Sequence, residues 1–108
     1  MKKTTKNSNK ETKRAQRAIA IDLTAWEYIE GVKVDTLRCS VYSGKDKDGN
    51  YNKDIPVRVL INEDTELVGD IDKIGSRTPV YVGGDIQFER NKEYINITIW
   101  AIRVEIMK

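Results

Sequence analysis

The residues of this chain best suited to chemistry are flat rings spaced among cations. The stretch SGKDKDGNYNK, Ser43 to Lys53, carries Lys45, Lys47, Tyr51 and Lys53. Arg38 and Tyr42 precede it on one face of an alternating segment, opposite Leu37, Cys39 and Val41, and Arg58 follows it. A second group, Phe88, Arg90, Lys92 and Tyr94, falls within seven residues. Cations neutralise phosphates, and aromatic faces stack unpaired bases at roughly 1–3 kcal/mol per base. The two kinds of side chain, interleaved, suit the backbone and the bases of one unpaired strand. The competing reading of the lysines is an ordinary solvated loop, since Asp46, Asp48 and Asp54 lie among them.

Other chemistries find little support. The chain has no histidine, the commonest general base and metal ligand. Cys39 is the lone cysteine and sits at an inward position of its segment, where it reads as a small core residue. The stretch DKDGNYNKD fails as a calcium loop: counted from Asp46, the sixth residue is Tyr51 and the twelfth Val57, where glycine and glutamate are required. Glu63, Asp64, Glu66, Asp70 and Asp72 read as a surface segment charged for solubility or for a partner protein. The expectation is a non-enzyme with no cofactor and no metal.

Five segments must position these residues. RAIAIDLTAW, VDTLRCSVY, DIPVRVLI, PVYVGGDIQF and YINITIWAIRVEI alternate apolar and polar positions and are rich in β-branched residues, which predicts strands. The polar stretch Ser43 to Lys53 reads as a long hairpin loop and RNKE, Arg90 to Glu93, as a short one. Asn62 to Gly75 is the only segment with helical spacing: Leu67, Ile71 and Ile74 fall at i, i+4 and i+7, with Gly69 against it. It predicts one short helix or a pair of turns. The fold class is therefore all-β. The order matches the OB-fold, a five-stranded Greek-key barrel, with the short helix between strands three and four. A small β-sandwich or a partly open barrel is the alternative. Gly83 and Gly84 fit the barrel, because a glycine or bulge permits sharp coiling and close backbone approach. Phe88 shares its register with Val80, Val82 and Ile86, which places it in the core unless a bulge at the glycines turns it outward. Trp26, Tyr81 and Trp100 stay open between core, interface and stacking roles.

Charge divides the chain. Residues 1–17 hold seven basic residues against Glu11, a net +6, and the remainder holds 12 basic and 16 acidic, a net −4. Residues 1–16 offer only Met1 and Ala15 for burial, which predicts a flexible, disordered basic arm ahead of an OB-fold domain over 17–108. Such arms contact nucleic acid or acidic partners, or merely solubilise. No apolar run approaches the roughly 20 residues that cross a bilayer, and the N-terminus lacks a signal peptide's apolar segment. A cytoplasmic protein is expected, with no membrane partner. Trp100, Ile102 and Val104 suggest a surplus apolar face and hence a homo-oligomer.

At the last two strands the chain resembles the bacterial and phage single-stranded DNA-binding proteins. PVYVGGDIQFERNKEYINITIW supplies the family's Val-Tyr-Val-x-Gly-x-aliphatic pattern in Val80, Tyr81, Val82, Gly84 and Ile86. Its basic hairpin follows in Arg90 and Lys92, and Tyr94 opens the final strand. LRCSVYSGKDKDGNYNKDIPVRVLI is similar to the family's second strand, long loop and third strand, so the likeness spans Ile19 to Ile106. It implies sequence-nonspecific binding of single-stranded DNA in replication or recombination, in a phage, plasmid or mobile-element version. A primosomal replication protein of the same fold and an OB-fold protein-interaction module are the alternatives. RNA is not separable from DNA on these residues. Three departures stand out. GSRTPV is longer than the family's glycine-to-valine spacing, and the third strand carries Ile55 and Ile61 where a stacking ring is common. The sequence ends at EIMK without the acidic tail that recruits replication proteins, so that partner role is not carried over.

Overall fold

The structure is a computed structural model and describes residues 17–107; the expected arm over residues 1–16 lies outside the described residues. Its strands are β1 (Ala18–Ile29), β2 (Asp35–Val41), β3 (Ile55–Ile61), β4 (Glu66–Val68), β5 (Thr78–Arg90) and β6 (Ile95–Ile106). β1 runs antiparallel to both β2 and β5, β2 to β3, and β5 to β6. A parallel pairing of β3 with β6, Arg58 beside Thr98 and Leu60 beside Trp100, closes the ring. Five strands thus make a mixed closed barrel with OB-fold connectivity, and β4 adds a sixth strand parallel to β6. Closure leaves the five with no open sheet edge.

The expected alternation fills the barrel. Leu23, Ala25, Leu37, Cys39, Val57, Val59, Ile61, Val80, Val82, Ile99, Ala101, Val104 and Ile106 are buried together. No helix of α type forms between β3 and β5. Leu67 joins β4 as the partner of Val104, and a single 3₁₀ turn, Ile71–Lys73, follows. The reason is local. Gly69 takes a positive φ of 101°, and Asp70 accepts from the Asp72 amide in place of a continuing helix. Ile71 and Ile74 still pack on the core. The apolar spacing that reads as a helix is met by a strand and a turn.

The paired glycines have separate explanations. A Cβ on Gly84 would lie 2.2 Å from the Trp100 carbonyl oxygen, whereas one on Gly83 would find nothing nearer than 3.9 Å. Gly83 pairs with Arg103 and Gly84 with Ala101, so Ile102 is the extra residue of a bulge on β6. β5 itself keeps its alternation. The bulge turns Ile102 and Arg103 outward together and returns Val104 to the core, where it is 1% exposed. The apolar face expected from Trp100, Ile102 and Val104 is therefore divided: the first two lie on the wall and the third inside.

Candidate nucleic-acid interface

A row of side chains crosses the outer wall. Glu27 of β1 pairs with Arg38 of β2, Arg38 with Arg58 of β3, and Arg58 with Thr98 of β6. Two arginines directly opposite on antiparallel strands repel, an arrangement that destabilises a sheet. The row relieves this at both ends. Arg38 Nη1 lies 2.8 Å from Glu27 Oε1, and Arg58 Nη2 donates to Thr98 Oγ1 at 3.1 Å. The Arg38–Glu27 pair is well exposed, and such pairs contribute only about 0–1 kcal/mol. A phosphate can displace it.

Trp26 sits beside this row because of a second bulge. Ala25 pairs with Cys39 and Glu27 with Arg38, leaving Trp26 as the extra residue of β1. Bulges re-aim side chains, and here the indole swings across β2, where Nε1 donates to Ser40 Oγ at 2.8 Å. Trp26, Arg38, Arg58, Ile55, Tyr94 and Ile95 are among the residues lining a groove of about 940 Å³ over β1, β2, β3 and the start of β6.

The β5–β6 hairpin forms one bank of that groove. The Asn91 amide donates to the Tyr94 carbonyl at 2.8 Å and closes the turn. Phe88 stays on the inward parity of Val80 and Val82, but the hairpin runs beyond the barrel there. Phe88 is therefore 63% exposed, a consequence of hairpin length and not of a bulge in β5. It shares a cleft of about 510 Å³ with Arg90, Lys92, Tyr94 and Ile55. Tyr94, Ile55, Ile95 and Ile97 line both spaces, so cleft and groove are continuous.

The loop between β2 and β3 builds a separate cluster. Gly44 and Gly49 take positive φ, and Asp46 Oδ1 accepts from the amides of Asp48 and Asn50. A bridge between Lys45 and Tyr51 holds the two side by side, with Nζ 4.8 Å from the ring centroid. The rings of Tyr42 and Tyr51 lie 6.0 Å apart and tilted. Lys47 and Lys53 flank this cluster on the exposed loop. Of the residues the sequence singles out, Arg38, Arg58, Phe88, Arg90, Lys92 and Tyr94 meet at the groove and cleft. Tyr42, Lys45, Lys47, Tyr51 and Lys53 form the neighbouring loop and line neither space.

Trp26 is the groove residue that simple alternation misses. One signal was present: Leu23 and Ala25 are inward on odd positions, and the next inward residue, Tyr28, is even, so a residue slips between them. Below the wall, burial pushes the Cys39 thiol up to about 12, which keeps it protonated and inert at neutral pH. At the barrel's end, Asp35 accepts from Tyr28 Oη at 2.5 Å and from the Gly31 amide at 2.9 Å, which lowers its carboxyl pKa and pins the β1–β2 turn.

Fold and wall together define a small OB-type barrel with a basic groove flanked by rings. No protein-family model and no curated protein matches the chain. Among the described residues, no helix is long and apolar enough to cross a membrane.

Proposed function

We propose that this chain is a cytoplasmic, non-enzymatic protein that binds single-stranded DNA without sequence preference during replication or recombination. The observation that carries this reading is the Arg38–Arg58 pair on the groove wall, between the exposed rings of Trp26 and Tyr94. Glu27 and Thr98 offset this like-charge pairing only through one exposed ion pair and one neutral hydrogen bond, and a polyanion relieves it further. The rings supply stacking that every base can use, and the loop cluster of Lys45 and Tyr51 extends the same chemistry beyond the groove. The strand-and-hairpin likeness to single-stranded DNA-binding proteins supports the replication context.

Tryptophan fluorescence, titrated with oligothymidylate over a salt series, tests the reading. Binding should weaken with salt at a log–log slope of about −0.7 per phosphate neutralised. Arg58→Ala should reduce the steepness by about one phosphate, and Tyr94→Ala should weaken binding by about 1–3 kcal/mol at every salt concentration. Absent or salt-insensitive binding overturns the proposal. The acidic balance of residues 18–108 favours a second reading, an OB-fold module that docks a protein, and capture of a defined partner with no affinity for oligothymidylate would select it. Equal titrations with oligouridylate would extend the ligand class to RNA.

A further inference from the structure

Arg77 is the one non-glycine residue with positive φ among the described residues, at 64°. Left-handed backbone is disfavoured for residues with a Cβ and persists where surrounding structure enforces it. Thr78 enforces it here. Its Oγ1 accepts from the Gly75 amide at 3.0 Å and donates to the Gly75 carbonyl at 3.2 Å, so the turn before β5 is held shut. The turn belongs to GSRTPV, the stretch whose length departs from the family spacing.

The enforced turn has a consequence for Trp26. Ala25 and Thr78 form the last rung between β1 and β5; Trp26 follows Ala25 on β1, and Arg77 immediately precedes β5. The Arg77 guanidinium carbon accordingly lies 5.8 Å from the Trp26 ring centroid. The indole is also held at its edge, where Nε1 donates to Ser40 Oγ. The ring is 38% exposed at the β1 end of the groove, away from the hairpin, and the exposed Arg77 that covers it lies just outside the residues lining the groove.

We propose that Trp26 and Arg77 form the terminal contact of the single-strand track: a base takes the guanidinium's place on the indole, and Arg77 turns to the adjoining phosphate. Base stacking is stronger than a solvent-exposed cation–π contact, so the exchange runs in the direction of binding. The track then crosses the strands from Arg77 and Trp26 through Arg38 and Arg58 to Tyr94. From β1 to β6 this is three interstrand spacings, about 14 Å. The inference rests on the single-strand reading and adds its endpoint.

The test uses the full chain carrying Trp100→Phe, in which Trp26 is the sole tryptophan, titrated over a salt series with end-labelled oligothymidylate, whose fluorescence anisotropy reports binding independently of Trp26 emission. Binding should quench or shift Trp26 emission. Arg77→Gln, which keeps the side-chain stem, should weaken binding several-fold and lower the salt slope by about 0.7, whereas Arg77→Lys should retain the slope. Arg77→Gly should lose the same slope yet melt no lower than its parent, because glycine accepts the left-handed backbone. Strand binding that leaves Trp26 emission unchanged, or Arg77→Gln with an undiminished slope, overturns the terminal contact and leaves the proposed function standing. A parent chain that binds no oligothymidylate overturns both.

Discussion

Cys39 shows how a single buried side chain fixes a pH limit of this barrel. Its thiol moves from an ordinary value of 9.0 to about 12 because burial disfavours the thiolate. Below pH 9 the folded and unfolded chains both hold the proton, and stability is unaffected. Between pH 9 and 12 the folded chain holds more protons than the unfolded one, so stability falls as pH rises, at up to about 1.4 kcal/mol per unit. Tyr28 acts in the same direction, its hydroxyl raised by partial burial and by donation to Asp35. In Cys39→Ala the thiol's share disappears. Urea unfolding at pH 7 and 10.5 should show the parent losing about 2 kcal/mol more than the variant across that interval. Equal losses would mean that the thiol is hydrated and ionises normally. The site residues are legible to different degrees at this scale. The identities of Arg38, Arg58 and Tyr94 are plain in the sequence, because few side chains carry charge or a ring on an otherwise alternating wall. That Arg38 and Arg58 are direct partners is not, since their register depends on how the long loop from Ser43 to Lys53 folds.

At the scale of the element, the two adjacent glycines should behave as unlike residues. Gly84→Ala drives a Cβ to 2.2 Å from the Trp100 carbonyl oxygen and 2.9 Å from the Ala101 Cα. Both are backbone atoms of a paired strand and cannot swing aside, so we expect a loss of about 3 kcal/mol. Gly83→Ala meets only ordinary contact and removes a glycine's excess chain entropy. It should be neutral or stabilising by about 0.5 kcal/mol. Thermal unfolding followed by circular dichroism separates the two; similar melting temperatures would remove the close approach as the reason for Gly84. The glycines were visible as an interruption of β5, yet the bulge they accommodate lies on β6, in a run with no glycine at all. Bulges are invisible to period-2 reading except as a change of parity, and that change at Trp26 and at Ile102 re-aims both residues. The short strand β4 was illegible for a related reason. Leu67, Ile71 and Ile74 satisfy the helical period, but Gly69 and the side chain of Asp70 set the backbone against it.

Taken whole, the molecule separates its charge, with net +6 over residues 1–17 and −4 over the rest. A strand approaching the barrel meets local cations in the groove within a weakly acidic body, so long-range attraction has to come from the N-terminal segment. Removing residues 1–16 takes away Lys2, Lys3, Lys6, Lys10, Lys13 and Arg14 with Glu11, and changes the net charge of the chain from +2 to −3. The strands of the barrel and the groove residues named above all belong to the described residues 17–107, and truncation should leave the melting temperature unchanged. Oligothymidylate affinity should fall most at low salt. The log–log salt slope should flatten by up to about 4 if all six cations neutralise phosphates, at 0.7 each. At high salt the truncated and full-length chains should converge, because stacking on Trp26 and Tyr94 does not depend on counterions. An unchanged slope would remove residues 1–16 from the phosphate path and leave the cations of the barrel wall, the hairpin and the β2–β3 loop to account for the electrostatic attraction. A lower melting temperature on truncation would instead assign the segment to the fold.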